Sequence, residues 1–419
     1  MQWTAEDRQN VAVADHEQIQ QYLMRAFFPK HPEVLAYPEE LIHTPLLILG
    51  PVGCGKTEAI TAFAKQHDLG FKEIRLSNHD VTDLMGLPTV HREVNADDGR
   101  VTDVKVEWAR CGLLPNENDP DFKEKGILFL DEITNADKNV SKVAWQLTDA
   151  SRKVGDTKLP KGWMVVLAGN GPRDGGAYVD LETAVFTRCA SMRLEPDFTG
   201  WKRWALSKGK VDPVLIAFLQ MNNESLWGGQ KTVEDLENGC VIPTPRSWTL
   251  CSRLIKSMGD SVDYSSVLSM ARHTVGEPEA SNFAAFFENR KEMADIEGML
   301  AGTTPITKEQ FQGKSREVIY IQQNAIAQGF YSGIMADINA DYNNDAEFDR
   351  AMRAANIVMA ISEVTVDAAI SIARTTIDLF SSTGDGQLWA EWTINRMHLI
   401  AAKCPAWNRF FSDNADIMV

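Results

Sequence analysis

The sequence predicts an α/β fold, a parallel sheet flanked by helices, that gives way to an all-helical remainder. Three observations carry this. A continuous apolar run, Thr44 to Leu49, precedes a glycine-rich turn and a helical pattern, as expected of a strand buried on both faces. Further apolar, β-branched runs alternate with helical patterns up to about residue 199, the order that a layered α/β domain requires. Beyond 199 the strand pattern fades and short helical patterns follow one another.

Taken in order, Thr44–Leu49 is the first strand and Lys56–Lys65 the helix after it. Phe71–Leu76, Gly126–Leu130 and Trp163–Ala168 read as the second, third and fourth strands. Val140, Val143, Ala144 and Leu147 recur at helical spacing between the last two, giving the crossover helix that parallel strands need. One segment interrupts the alternation. His91–Val94, the polar turn Asn95–Gly99, and Val104, Val106 and Trp108 on alternate positions predict a β-hairpin insert over about 88–108. Trp201–Leu206, Pro213–Met221 and Ser247–Ile255 are helical, separated by Trp227-Gly228-Gly229 and Pro243-Thr244-Pro245. The polar stretch Gly276-Glu277-Pro278-Glu279 suggests a boundary. The expected domains are therefore 1–199 (α/β), 200–275 (small and helical) and 276–419 (all-α).

Two motifs carry chemistry. Gly50-Pro51-Val52-Gly53-Cys54-Gly55-Lys56-Thr57 fits the phosphate-binding P-loop pattern G-x-x-x-x-G-K-[ST], with a buried strand before it and a helix after it. Glycines let backbone N–H groups turn toward phosphates, and the helix N-terminus, with Glu58 in its first turn, adds partial positive charge. Lys56 would bridge the β- and γ-phosphates and the Thr57 hydroxyl would ligate Mg²⁺. Cys54 reads as a small spacer within the loop, with a thiol switch as the alternative. The second motif, Ile127-Leu128-Phe129-Leu130-Asp131-Glu132, is an apolar strand ending in two carboxylates at the sheet edge where ligands bind. Asp131 would hold magnesium through water. Glu132 would orient and deprotonate the attacking water. The nucleotide is ATP on this reading.

Composition narrows the class. The 419-residue chain is 44% hydrophobic and 24% charged, the make-up of a globular protein with more than one domain. Its net charge of -16 repels a phosphate backbone, which makes nucleic acid an unfavoured partner. Trp201-Lys202-Arg203-Trp204, with Lys208 and Lys210, interleaves aromatic and basic residues but reads as the solvated face of an amphipathic helix. Six scattered cysteines and eight histidines show no CxxC or HxxxH spacing, so reduced thiols and no metal beyond magnesium are expected. The acidic start Met1–Asp7 lacks an apolar leader, which makes the cytoplasm the expected compartment. Glu363 and Asp367 inside the apolar stretch Ala354–Ala373 argue for a buried bundle helix and against a membrane span.

With both motifs in hand, the chain resembles the AAA+ superfamily of P-loop NTPases over about residues 40–260, and within it the MoxR-like branch that includes the CbbQ/NorQ-type activators. Gly126–Ala136 looks like the family's Walker B run, and Gly169-Asn170-Gly171-Pro172 follows the fourth strand where the family places its sensor-1 residue. The resemblance implies that Asn170 is a second holder of the lytic water. Leu181–Cys189 is similar to the segment ending in the family's arginine finger, which would make Arg188 the group that reaches a neighbouring subunit's γ-phosphate, with Arg193 as its rival. The family's usual Asp-Arg-Phe is Thr-Arg-Cys here. Pro243–Trp248 resembles sensor 2 at the start of a lid helix, with Arg246 touching the γ-phosphate in cis.

The hairpin fits the inserts of this branch, and in a ring it would face the pore. The resemblance thus implies an ATP- and Mg²⁺-dependent ring, hexameric in expectation, that remodels or activates a partner protein. A companion with a von Willebrand factor A domain is implied in the same way. The alternatives are a nucleotide-gated scaffold that recruits partners through the C-terminal helices, a nucleic-acid motor, and a P-loop kinase.

Overall fold

The computed structural model describes residues 11–32, 39–94, 101–109, 111–172, 174, 181, 183–228, 234–235, 238–259, 262–381 and 386–414. The chain divides into two compact units, Met1–Pro196 with Val233–Gly239, and Asp197–Thr232 with Cys240–Val419.

The first unit is built on strands β1 (Val13–Ala14), β2 (Leu46–Leu49), β3 (Gly70–Arg75), β6 (Gly126–Asp131), β9 (Trp163–Gly169) and β10 (Ala190–Leu194), with a hairpin β4 (Pro88–Val94) and β5 (Val101–Trp108), and a minimal pair β7 (Lys153–Val154) and β8 (Thr157–Lys158). Among the described residues the main sheet has six strands in the order β1-β10-β2-β9-β6-β3. Every pairing in it is parallel. β2, β6 and β9 are buried along their whole length. Alternate residues of one strand enter different cores, because successive side chains point to opposite faces. Leu47, Leu128, Leu130 and Leu167 pack in one cluster with Val140, Val143 and Ala144 of α5 (Lys138–Trp145). Leu46, Ile48, Ile127 and Phe129 pack in the other, with Ile19 and Leu23 of α1 (His16–Phe27) and Ile60 and Phe63 of α3 (Lys56–Gln66).

The four expected strands and their crossover helix are present within a residue or two of the expected bounds. The structure adds β1 and β10. β1 has two residues, and β10, Ala-Ser-Met-Arg-Leu, is half-buried along most of its length, so neither forms the continuous apolar run by which buried strands are recognised. The hairpin lies between β3 and β6 as expected, with Val90 opposite Val106 and Arg92 opposite Val104. Its expected turn, Asn95–Gly99, lies outside the described residues.

In the second unit the boundary expected at 275/276 falls inside a single core. Phe218 of helix Pro213–Met221, Trp248 of helix Pro245–Ser257 and Phe283 of helix Glu279–Phe287 meet with ring centroids 5.4–5.6 Å apart. The same cluster continues through Phe330 and Trp392 to Trp407. Gly276–Glu279 is thus a turn between two packed helices, Tyr264–Thr274 and Glu279–Phe287. The apolar stretch from Ala354 is divided between helices Asp345–Ser362 and Val366–Ser381. Among the described residues no helix is long and apolar enough to cross a membrane. Helix Phe198–Lys208 buries Trp201, and the Lys202 amine donates to Gln220 Oε1 at 3.1 Å. Burial pushes the Lys202 amine down to about 8, against the charge of Asp378. That lysine faces protein.

Candidate functional site

The P-loop leaves β2 at Leu49 and turns into α3 at Lys56. Gly53 and Gly55 have φ of 77° and 95°, a left-handed backbone that side chains resist, and it is this conformation that leads the chain into the helix. Gly50 is glycine for a different reason. Its N–H donates to Gly169 O at 3.2 Å, and a Cβ there would sit 2.2 Å from the carbonyl oxygen of Leu194. Lys56 Nζ lies over the loop, donating to Gly50 O at 2.6 Å, Pro51 O at 2.9 Å and Asn170 Oδ1 at 3.5 Å. Pro51 and Cys54 are buried, while Val52 and Glu58 are exposed.

The carboxylate strand reaches the same edge. Thr57 Oγ1 donates to Asp131 Oδ2 at 3.0 Å, so the hydroxyl and carboxylate that would share a metal are already in contact. The α/β core resembles that of P-loop ATPases.

Glu132 follows at φ 59°, and its N–H bonds Asp131 Oδ1 at 2.9 Å. Its carboxylate accepts from the Ser77 hydroxyl and lies 3.6 Å from Arg75 Nε. The register explains this meeting. β3 pairs with β6 so that Arg75 is opposite Asp131, and the chains leaving both strands run side by side. Asn170 stands at the end of β9, beside β6, with its N–H on Thr134 Oγ1 at 2.9 Å. Lys56, Thr57, Asp131 and Asn170 are therefore linked, and Glu132 adjoins them along the chain.

The arginines differ among themselves. Arg188 closes α6 (Thr183–Arg188) and is half-exposed, with Nη1 2.6 Å from Asp149 Oδ1. Arg193 forms a forked pair with Asp174, at 3.2 and 2.5 Å, and a further contact to Glu195 at 3.2 Å. Burial works against its charge, but the two carboxylates outweigh burial and raise its pKa. Arg246 belongs to the second unit, exposed in the first turn of helix Pro245–Ser257, whose N-cap Thr244 accepts from Ser247 N–H. Sequence reasoning missed Arg75, Ser77, Thr134, Asp149 and Asp174. The one available signal was positional, since Ser77 follows a strand that neighbours the carboxylate strand.

The six cysteines are free, and Cys240 alone among them is exposed. Burial pushes the Cys54 thiol up, against the opposing charge of Lys56. Burial also pushes Cys189 up to about 12, against Arg188. Raised values leave little thiolate at neutral pH, so neither sulfur is a ready nucleophile. At pH 8 a maleimide is expected to label Cys240 well before Cys54 or Cys189, read by peptide mass spectrometry. Early labelling of Cys54 would restore the thiol-switch alternative.

No family model matches the chain. The denitrification regulatory protein NirQ of Stutzerimonas stutzeri is 28% identical over 180 residues, which cover 41% of this chain and 60% of that protein. The chain thus spans less than two thirds of this relative's length. Among solved structures, a chain from Cytophaga hutchinsonii assigned as an ATPase is 15% identical, with 67% of this chain and 83% of that one covered at a TM-score of 0.28. Closed-state Hsp104 with ATPγS and FITC casein is 16% identical, with 65% and 46% covered at a TM-score of 0.32.

Proposed function

We propose that this chain is an AAA+ ATPase of the MoxR-like kind, which binds Mg-ATP, hydrolyses it within a homo-oligomeric ring, and uses the cycle to remodel or activate a partner protein. The observation that carries the reading is the Thr57–Asp131 contact at 3.0 Å, beside Lys56 and one residue from Glu132. The donors fit the metal. A hydroxyl and a carboxylate are hard oxygen ligands of the kind magnesium takes, and the glycine loop leaves backbone N–H groups free of Cβ obstruction. Bound magnesium would supply charge neutralisation for the phosphates.

The chain's own residues do the rest. The N–H groups of Val52–Thr57 and the Lys56 ammonium hold the phosphates. Thr57 and Asp131 hold the metal. Glu132 takes the proton of the attacking water, and Asn170, anchored by Thr134, orients that water with it. Arg188 is the group offered to a neighbour, because it is half-exposed and held by a surface ion pair, a contact worth no more than about 1 kcal/mol that an anionic partner can displace. Arg193 is bound within its own chain and is assigned no such part. Partner activation is supported by the relative described as a regulatory protein, and a von Willebrand factor A companion by the family resemblance.

Light scattering tests the assembly. With ATP and magnesium the protein is expected to run as a multiple of the chain, six being the expected number, and an Arg188→Ala variant should assemble but turn over poorly. A monomer under those conditions removes both the ring and the trans arginine.

A further inference from the structure

β9 and β10 are not neighbours in the sheet, because β2 lies between them. The chain that leaves β9 with Asn170 therefore has to pass the end of β2, where the P-loop begins, to reach anything on β10. The structure shows such a link. Asp174, 1% exposed, accepts the N–H of Gly171 at 2.5 Å and both terminal nitrogens of Arg193, a β10 residue, at 3.2 and 2.5 Å.

Two glycines beneath this link are closely approached. Gly50 bonds Gly169 on one side and abuts the Leu194 carbonyl on the other, and a Cβ on Gly171 would lie 2.7 Å from both Arg193 Nη1 and Asp174 Oδ2. Asn170 is thus fixed from behind by Thr134 and from ahead by a turn tied to β10. With Asp174 buried and Arg193 partly so, desolvation takes back part of the pair's attraction, so the pair is weak evidence for stability. What a forked guanidinium–carboxylate pair supplies is a fixed geometry.

Resting on the ATPase reading above, we infer that Asp174 and Arg193 are positioning residues, which set the Asn170 amide against the P-loop and so govern the rate of hydrolysis rather than the affinity for ATP. Neither touches the reacting atoms. Their effect passes through Asn170, whose Oδ1 is 3.5 Å from Lys56 Nζ. A displacement of the order of 1 Å at a group that orients a reactant can cost about a hundredfold in rate.

The test is a cycle of variants in the full-length chain. Arg193→Lys keeps the charge that neutralises buried Asp174 but loses the fork. Its kcat is expected to fall roughly ten- to a hundredfold while the Kd for a fluorescent ATP analogue stays within about twofold. In an Asn170→Ala background the same change should cost about twofold or less, because residues that act through one another are not additive. If Arg193→Lys unfolds, the neutral pair Asp174→Asn with Arg193→Gln replaces it in the same cycle.

Equal losses in both backgrounds overturn the inference, as does a weakened ATP Kd with kcat at saturating ATP unchanged. Restored turnover on mixing Arg193→Lys chains with Glu132→Gln chains overturns it too, since Arg193 would then act across subunits. If the unaltered chain shows no Mg-ATP turnover, the ATPase reading fails and takes the inference with it. If Glu132→Gln abolishes turnover and Arg193→Lys does not slow it, only the inference fails.

Discussion

Glu132→Gln is expected to lower ATP turnover by about 10²–10⁴-fold, the usual contribution of a positioned general base. That corresponds to about 3–5 kcal/mol of barrier. ATP affinity should be unchanged. Gln has the shape of Glu and can still accept from the Ser77 hydroxyl, so the edge of the sheet keeps its arrangement and only the ability to take a proton is lost. Gly50–Thr57 and Asp131, the residues proposed to hold phosphates and metal, are untouched. Phosphate release and a nucleotide titration on the same preparation give both numbers, and unchanged turnover would remove Glu132 from the role of base. A chain that only binds ATP as a scaffold would show no difference between variant and parent.

The second large effect is on stability and lies in the helical unit. Asp337, fully buried on helix Arg316–Asn339, accepts from Arg396 Nε at 2.9 Å and Nη2 at 2.5 Å, and from Trp392 Nε1 at 3.0 Å. The Arg396 guanidinium also lies 4.8 Å from the centre of the Phe348 ring. Asp337→Asn leaves that guanidinium buried against a neutral amide, and breaking a buried pair from one side costs about 3–5 kcal/mol. For a unit of this size, thermal unfolding should shift down by roughly 6–20 °C. Replacing both partners, Asp337→Leu with Arg396→Met, should recover part of the loss, because no unpaired charge remains although the buried Trp392 N–H loses its acceptor. A shift below about 3 °C for Asp337→Asn would show that water reaches the pair.

The parts of this fold legible in the sequence are those set by local pattern. β2, β6 and β9 are buried on both faces, so each must be a continuous apolar run, and such runs can be read directly. β10 was hidden because its first four residues are only half-buried, so polar Ser191 and Arg193 are tolerated within it. The boundary near 276 misled for a related reason. A polar turn between helices looks the same whether those helices share a core or not, and the meeting of Phe218, Trp248 and Phe283 has no trace in spacing.

The site divides the same way. Gly50–Thr57 and Asp131-Glu132 are contiguous motifs fixed by the chain's own turns. Ser77 and Asp149 are brought to Glu132 and Arg188 by strand register and helix packing across dozens of residues, and no linear pattern encodes that. Arg193 shows the limit most clearly. As a nearby arginine it competed with Arg188, and only the position of Asp174 separates them.

Glu132 sits at φ 59°, a conformation that costs a non-glycine residue roughly 1–2 kcal/mol. Glycine would relieve most of that cost at one stroke, and asparagine part of it, without disturbing Asp131, Thr57 or the loop. Against that relief stand the Ser77 hydrogen bond and the Arg75 contact of the glutamate side chain, which glycine would give up. On the proposed reading of Glu132 as the base, this is the position at which the chain gives up folding free energy for chemistry. On that reading Glu132→Gly would exchange the backbone strain for the loss of the Ser77 and Arg75 contacts, and leave a protein that keeps its ATP without hydrolysing it.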